Sequence, residues 1–294
     1  MSRDLSKLAR NSGGLAMVAV DQREALRGMF AKNQSTPVPN SQLTQFKVDV
    51  ARELSPFASA LLVDQEFGID AIVDEGALNP SCGLIAAADL LVGPPGGAAT
   101  ATEIDSEVDP IRMKKIGAVG LKFLVLWRSD ESAEKRAELV SQFNKLCDMA
   151  NLPSIIEIIV KPPNDSSREF NREEELISAA REASKWRLDL YKAEVPFHGE
   201  GDLSKVRRNA ERITDAIGKP WVVLSNGVKT ENFADAVKAC SQGGSSGFLA
   251  GRAVWADLVS AKNIPEALRN VAIPRLKKLS DIVDTYAQPW NLQK

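Results

Sequence analysis

The chain has 294 residues, 44% of them hydrophobic and 26% charged, with 37 basic against 39 acidic side chains and a formal net charge of -2. Lys and Arg are spread along the sequence, so neither a nucleic-acid footprint nor a membrane-surface patch stands out, and the expected partners are small molecules. The length suits one large α/β domain around one core, and a single domain over 1–294 is expected.

Short apolar runs alternate with longer amphipathic, charged segments. In chain order the predicted strands are 15–20, 60–64, 83–88, 121–127, 154–160, 188–195, 221–225 and 247–251. Helix-like stretches such as 131–151 and 172–186, whose apolar residues recur every three or four positions, lie between most of them. Eight buried strands alternating with helices predict a parallel (β/α)8 TIM barrel, because right-handed crossovers close such a sheet with its helices outside. A doubly wound open sheet fits less well, since no G-x-G-x-x-G follows the first strand and no P-loop occurs. Segment 92–110 is rich in Gly, Pro and small residues and reads as a loop after the third strand. The tail from Pro274 predicts a closing helix and a Pro-Trp segment that packs on the barrel floor or on a neighbouring subunit.

No N-terminal stretch has the pattern of a signal peptide, and the apolar runs fall short of the roughly 20 residues a membrane helix needs, so the expected location is the cytoplasm. Cys82, Cys147 and Cys240 are odd in number and widely spaced, with no C-x-x-C pair, which predicts reduced, buried thiols. The single histidine, His198, argues against metal sites built on several His ligands and against Ser-His or Cys-His catalysis. It follows Pro196 in a Gly-flanked loop and reads as a surface residue. Neither metal nor cofactor is expected.

In a barrel, chemistry gathers at the C-terminal ends of the strands. Lys122 and Glu157 each interrupt an apolar run, LKFLVL and IIEII, where an unpaired charge would cost several kcal/mol. Lys192, near the end of LDLYKAEVP, completes a set on successive strands that can meet across the barrel mouth. A second ammonium near Lys192 favours its neutral, nucleophilic form, and Glu157 can shuttle protons for imine formation. The same residues also fit a structural salt bridge, and Lys192 alone fits a solvated lysine at a strand end.

After the seventh and eighth strands, Ser225, Asn226, Gly227, Gly251 and Arg252 suggest an anion site of the kind barrels use for phosphate. At the opposite rim, Asp21 and Gln22 follow the first strand, and Arg23 and Arg27 are candidates for the far end of a substrate carrying a second anion. Arg128, beyond the fourth strand, is a further candidate anion contact.

At these residues the chain resembles the class I aldolases of the tagatose-bisphosphate aldolase group, and within it the sulfofructosephosphate aldolases of sulfoquinovose degradation. The resemblance runs over nearly the whole chain and rests on SGGLAMVAVDQREALR, LSPFASALLVDQ, LVLWRSDE, DLYKAEVP and GFLAGRAVW. It implies a (β/α)8 fold and metal-independent cleavage of a ketose 1-phosphate through a lysine Schiff base. For 6-deoxy-6-sulfofructose 1-phosphate the products would be dihydroxyacetone phosphate and 3-sulfolactaldehyde. Tagatose or fructose 1,6-bisphosphate is the alternative substrate, and a phosphosugar-binding or isomerase barrel the alternative class. Carried over by position, the Schiff-base lysine is Lys192, the proton-transferring carboxylate Glu157, the accompanying lysine Lys122, and the strand-one acid and amide Asp21 and Gln22. The phosphate loops fall on Ser225, Gly227, Gly251 and Arg252, with Asn226 departing from the small residue expected there. A homotetramer or homodimer is implied.

Overall fold

The computed structural model describes residues 3–94 and 99–292. Its ten strands are β1 (Leu15–Ala19), β2 (Ala60–Val63), β3 (Gly83–Ala87), β4 (Asp89–Val92), β5 (Ala101–Ile104), β6 (Ala118–Trp127), β7 (Ser154–Val160), β8 (Leu190–Glu194), β9 (Trp221–Leu224) and β10 (Gly247–Ala250). Eight of them close a parallel barrel in the ring order β1-β10-β9-β8-β7-β6-β3-β2. These are the eight predicted strands, all buried along most of their length because helices cover the outside and side chains fill the inside.

The segment after β3 differs from the loop expected there. β4 and β5 pair antiparallel, Asp89 with Ile104 through Val92 with Ala101, and form a ribbon beside the barrel mouth. The centre of that small-residue segment, 95–98, lies outside the described residues.

Two apolar clusters occupy the barrel interior. The lower one contains Leu15, Met17, Leu62, Ile85, Ile155, Leu190, Val222 and Leu249, and it is closed from below by Leu5 and Leu8 around the short helix Ser6–Leu8. Trp290 packs on the same cluster, and its N-H donates to the Gly13 carbonyl, so the tail rests on the barrel floor as one of the two expectations for it held. The upper cluster is small, formed by Leu124, Leu126, Ile159 and Leu224. The inward positions between them, one pleat above Gly120, Ile155 and Leu190 on β6, β7 and β8, are Lys122, Glu157 and Lys192. Period-two alternation thus inserts a charged layer between two apolar ones.

The three cysteines are buried and free, and burial pushes the Cys82 and Cys147 thiols up to about 12. Among the described residues, no helix is long and apolar enough to cross a membrane.

Leu8 is completely buried and plugs the floor beneath the charged layer. Leu8→Ala is expected to lower the unfolding free energy by about 2–5 kcal/mol, read from urea denaturation.

Candidate active site

Strand register decides which polar side chains meet. Glu157 and Lys192 are Cα partners across β7 and β8, so both face the interior at one height. Lys192 Nζ donates to Glu157 Oε2 at 2.8 Å, and Lys122 Nζ lies 2.9 Å from the same oxygen. Lys122 also stands 3.0 Å from Asp21 Oδ2 and 2.9 Å from Asp89 Oδ2. A single ammonium is therefore surrounded by three carboxylates, one of which is shared with a second ammonium.

The electrostatics follow from that crowding. Burial alone would push the Lys122 ammonium down, but Asp21, Asp89 and Glu157 outweigh it and hold the group well above its ordinary value. Burial opposes charge on Glu157 and Asp21 too; Lys122 and then Lys192 outweigh it and hold both carboxyls below the usual range. All three groups stay ionised at neutral pH.

A supporting set holds this layer in place. Asp89, fully buried at the junction of β3 and β4, accepts from the Leu124 N-H at 2.9 Å, and its carbonyl accepts from Arg23 Nη1 at 2.7 Å. Arg23 lies between Asp89 and Asp64, at 3.6 and 4.0 Å. Lys47, from the helix Asn40–Leu54, is fully buried, pairs with Asp64 and donates to the Val20 and Gln22 carbonyls at 2.6 and 2.8 Å. Those bonds fix the backbone on both sides of Asp21.

A second cluster flanks it. Glu194, at the end of β8, accepts from the Val160 N-H at 2.9 Å and from Asn226 Nδ2 at 3.1 Å, with Arg172 at 3.4 Å. Asn226 Oδ1 accepts from Arg252 Nη2 at 2.6 Å. The amide thus links a buried carboxylate to the Arg252 guanidinium. Gly251 must be glycine, because a Cβ would stand 2.1 Å from the Ala19 carbonyl oxygen. Gly227 has φ +74° and lies against the His198 ring, where a Cβ would meet Nδ1 at 2.5 Å. His198 is accordingly half-buried rather than a surface residue, with its Nδ1 enclosed and without a hydrogen bond.

A cavity of about 400 Å³ opens above the charged layer. Asp21, Gln22, Arg23, Lys122, Glu157, Lys192, Asn226 and Arg252 all line it, and the ribbon contributes Leu90, Leu91 and the flanking Gly93, Pro94 and Ala99. Ser225, Gly227 and Gly251 shape the backbone beside it without lining it; the Ser225 hydroxyl accepts from the Ala253 N-H at 3.4 Å. Arg27 does not line the cavity: it is held by Glu24, the Val38 carbonyl and Asn40 at 2.6–2.9 Å, with its guanidinium over the Phe67 ring. Arg128 pairs with Glu131 and is likewise not a lining residue. Asp89, Lys47 and the lining residue Lys161 were not picked out by sequence reasoning. Lys161 had a usable signal, since it continues the inward series 155, 157, 159 along β7.

The ordinary values of Asp21 and Glu157 are 3.8 and 4.5, and both are lower in the fold. Their stabilisation is therefore complete above pH 4.5 and is lost as pH falls through the lowered values. In a Glu157→Gln variant, which lacks that titration, the acid decline of the urea midpoint below pH 4.5 is expected to be shallower. Asp89→Asn, with one carboxylate fewer around Lys122, is expected to cost about 1.5–3 kcal/mol at pH 7 in the same measurement.

Comparison with known proteins converges on one family. A model of the DeoC/LacD family aldolases matches residues 15–257. Tagatose 1,6-diphosphate aldolase of Staphylococcus epidermidis is 28% identical over 97% of this chain and 96% of its own length, and that of Staphylococcus aureus is 27% identical over 99% and 97%. The fold is shared with a Schiff-base-forming fructose-1,6-bisphosphate aldolase, TM-score 0.63 at 15% identity over 95% of this chain and 98% of that one. It is shared also with a fructose-bisphosphate aldolase from Slackia heliotrinireducens, TM-score 0.64 at 17% identity over 94% and 88%. With the family model covering the barrel from its first strand to beyond its last, the chain belongs to the DeoC/LacD family of aldolases.

Proposed function

We propose that this aldolase works through a Schiff base on Lys192 and cleaves 6-deoxy-6-sulfofructose 1-phosphate to dihydroxyacetone phosphate and 3-sulfolactaldehyde. The observation that carries the mechanism is the 2.8 Å contact of Lys192 Nζ with Glu157 Oε2, at the floor of a cavity and beside a permanently charged Lys122.

Lys192 passes a proton to Glu157 and attacks the ketose C2, forming a carbinolamine. Glu157 returns the proton to the departing hydroxyl, water leaves, and a protonated imine remains. The imine draws electrons from the C3–C4 bond as a base removes the C4 hydroxyl proton. Asp21 is the carboxylate available for that step, on the other side of Lys122. The bond breaks, the aldehyde departs, and the enamine is protonated at C3 and hydrolysed to dihydroxyacetone phosphate. Lys122, held charged by three carboxylates, keeps Glu157 in place and provides fixed positive charge that need not reorganise during the reaction. Gln22 Oε1 is buried with no hydrogen-bond partner and can accept from a substrate hydroxyl. Arg252, which donates to an amide oxygen and not to a carboxylate, is the cation for the C1 phosphate.

A sulfonate at the other end is supported by the supply of charge. Arg27 is held by Glu24, the Val38 carbonyl and Asn40 away from the cavity, while Arg23 lines it 3.6 and 4.0 Å from Asp89 and Asp64 with Nε and Nη2 lacking hydrogen-bond partners, so the rim after β1 offers one guanidinium rather than a pair for a second phosphate dianion. A monoanion fits such a site better. The competing substrate, tagatose 1,6-bisphosphate, is favoured by what the staphylococcal relatives are named for.

Borohydride reduction in the presence of dihydroxyacetone phosphate is expected to add the mass of dihydroxyacetone phosphate, less one water and plus two hydrogens, to one peptide, that of Lys192. An adduct elsewhere, or none, would remove the mechanism. Lys192→Ala is expected to have no cleavage above background. Glu157→Gln should lose about 10²–10⁴-fold in kcat, seen as slow imine formation in single turnover. Comparing kcat/KM for the sulfonated and bisphosphorylated ketoses decides the substrate.

A further inference from the structure

Five cations line the cavity: Arg23, Lys122, Lys161, Lys192 and Arg252. The first two and Lys192 are each within 4.0 Å of a carboxylate. Arg252 contacts the Asn226 amide. Among the described residues, Lys161 has no carboxylate partner at all, although it is half-buried in the cavity wall. The structure commits that ammonium to no carboxylate, so its charge is available to an anion entering the cavity.

Its position in the barrel says what that is. Lys161 lies four residues beyond Glu157 with the same inward parity, and its backbone N-H donates to the Trp127 carbonyl at 2.9 Å, which continues the β6–β7 ladder. At the rise of a parallel strand it stands roughly 13 Å above Glu157, at the mouth. β7 is three places from β10 in a ring of eight, so Lys161 faces Arg252 across the opening with β8 and Lys192 between them. The rim after β1 and β2, by contrast, presents Glu24 and Glu66 to the cavity, which repels an anion approaching Arg23.

We propose that Lys161 is the specificity-determining residue for the distal anion of the substrate, a sulfonate or phosphate on the carbon furthest from the C1 phosphate. This rests on the ketose 1-phosphate reading given above. It relocates the distal contact from Arg23 and Arg27 to the opposite wall. One ammonium, with no guanidinium beside it, suits a single negative charge and tolerates the rotation of a tetrahedral sulfonate, where a planar guanidinium would demand a fixed pair of oxygens.

The test is equilibrium binding, by calorimetry, of two hexitols that cannot form an imine: a 6-sulfonated hexitol 1-phosphate and the plain hexitol 1-phosphate. Lys161→Met is expected to weaken the sulfonated ligand about 10- to 100-fold, the loss of one charge-assisted contact, and the plain ligand by less than about twofold. Lys161→Arg should recover most of the lost affinity. Equal weakening of both ligands, or of neither, would overturn the assignment. Because neither ligand reacts, these outcomes are independent of whether Lys192 forms a Schiff base. Failure of borohydride trapping with intact hexitol discrimination would sink the mechanism and leave Lys161 standing.

Discussion

An ammonium inside a medium of low dielectric survives only with carboxylates at hydrogen-bond distance, and Lys122 has three of them. Each comes from a different part of the barrel: Asp21 beyond β1, Asp89 beyond β3 and Glu157 within β7. The charge therefore ties together strands that are distant in the chain, and removal of Lys122 would leave carboxylates from three of them without their common partner. The proposed chemistry uses the same arrangement. Three carboxylates hold the Lys122 ammonium well above its ordinary value, whereas Lys192 contacts one carboxylate, and that carboxylate is shared with Lys122. The proposed mechanism gives the two lysines, on strands either side of β7, different work on the ground of that asymmetry.

The surroundings make that asymmetry possible. Leu5, Leu8 and the lower cluster exclude water from below, while the upper cluster of Leu124, Leu126, Ile159 and Leu224 narrows access from above. Between them the charges interact through protein, where attraction is worth more than in water. The buried Lys47 extends the logic to the backbone, holding the carbonyls either side of Asp21 and leaving its carboxylate little freedom to swing away from Lys122.

Much of this was legible in sequence because a charge inside an apolar run is anomalous. Lys122 and Glu157 stood out for that reason, and strand alternation together with barrel order was enough to bring them to Lys192. Asp89 did not stand out, since it falls just after the apolar run 83–88 and before the loop expected over 92–110, where a single carboxylate is ordinary. The ribbon of β4 and β5 was hidden for a related reason: its two four-residue strands flank a Gly-Pro-rich centre whose composition dominates the segment. Lys47 was invisible because a lysine within an amphipathic helix is ordinarily solvated, and only the tertiary placement of Asp64 makes its burial tolerable. Arg23 and Arg27 were recognised as cations, but sequence cannot count the partners a cation already has. Glu24, Val38 and Asn40 hold Arg27 away from the cavity, and Asp89 and Asp64 offset the charge of Arg23 at 3.6 and 4.0 Å without satisfying its Nε and Nη2 donors.

That count also bears on how one fold accepts different substrates. The Lys122–Glu157–Lys192 layer sits deep and depends on register between β6, β7 and β8, so it has little room to vary. Lys161 and Asn226 stand higher, one just past the end of β7 and the other in the loop after β9, where a change of side chain disturbs neither the barrel closure nor the charged layer. Asn226 bridges Glu194 and Arg252 with both of its polar atoms, a link that a serine hydroxyl, shorter and with a single oxygen, could not span in the same way. On the proposed reading, the depth of a residue in this barrel separates what the reaction requires of any ketose from what distinguishes one ketose from another. On the proposed reading the two anions of the substrate sit at facing walls, the phosphate at the Arg252 guanidinium and the distal anion at the Lys161 ammonium, so the two ends are told apart by the geometry of their cations.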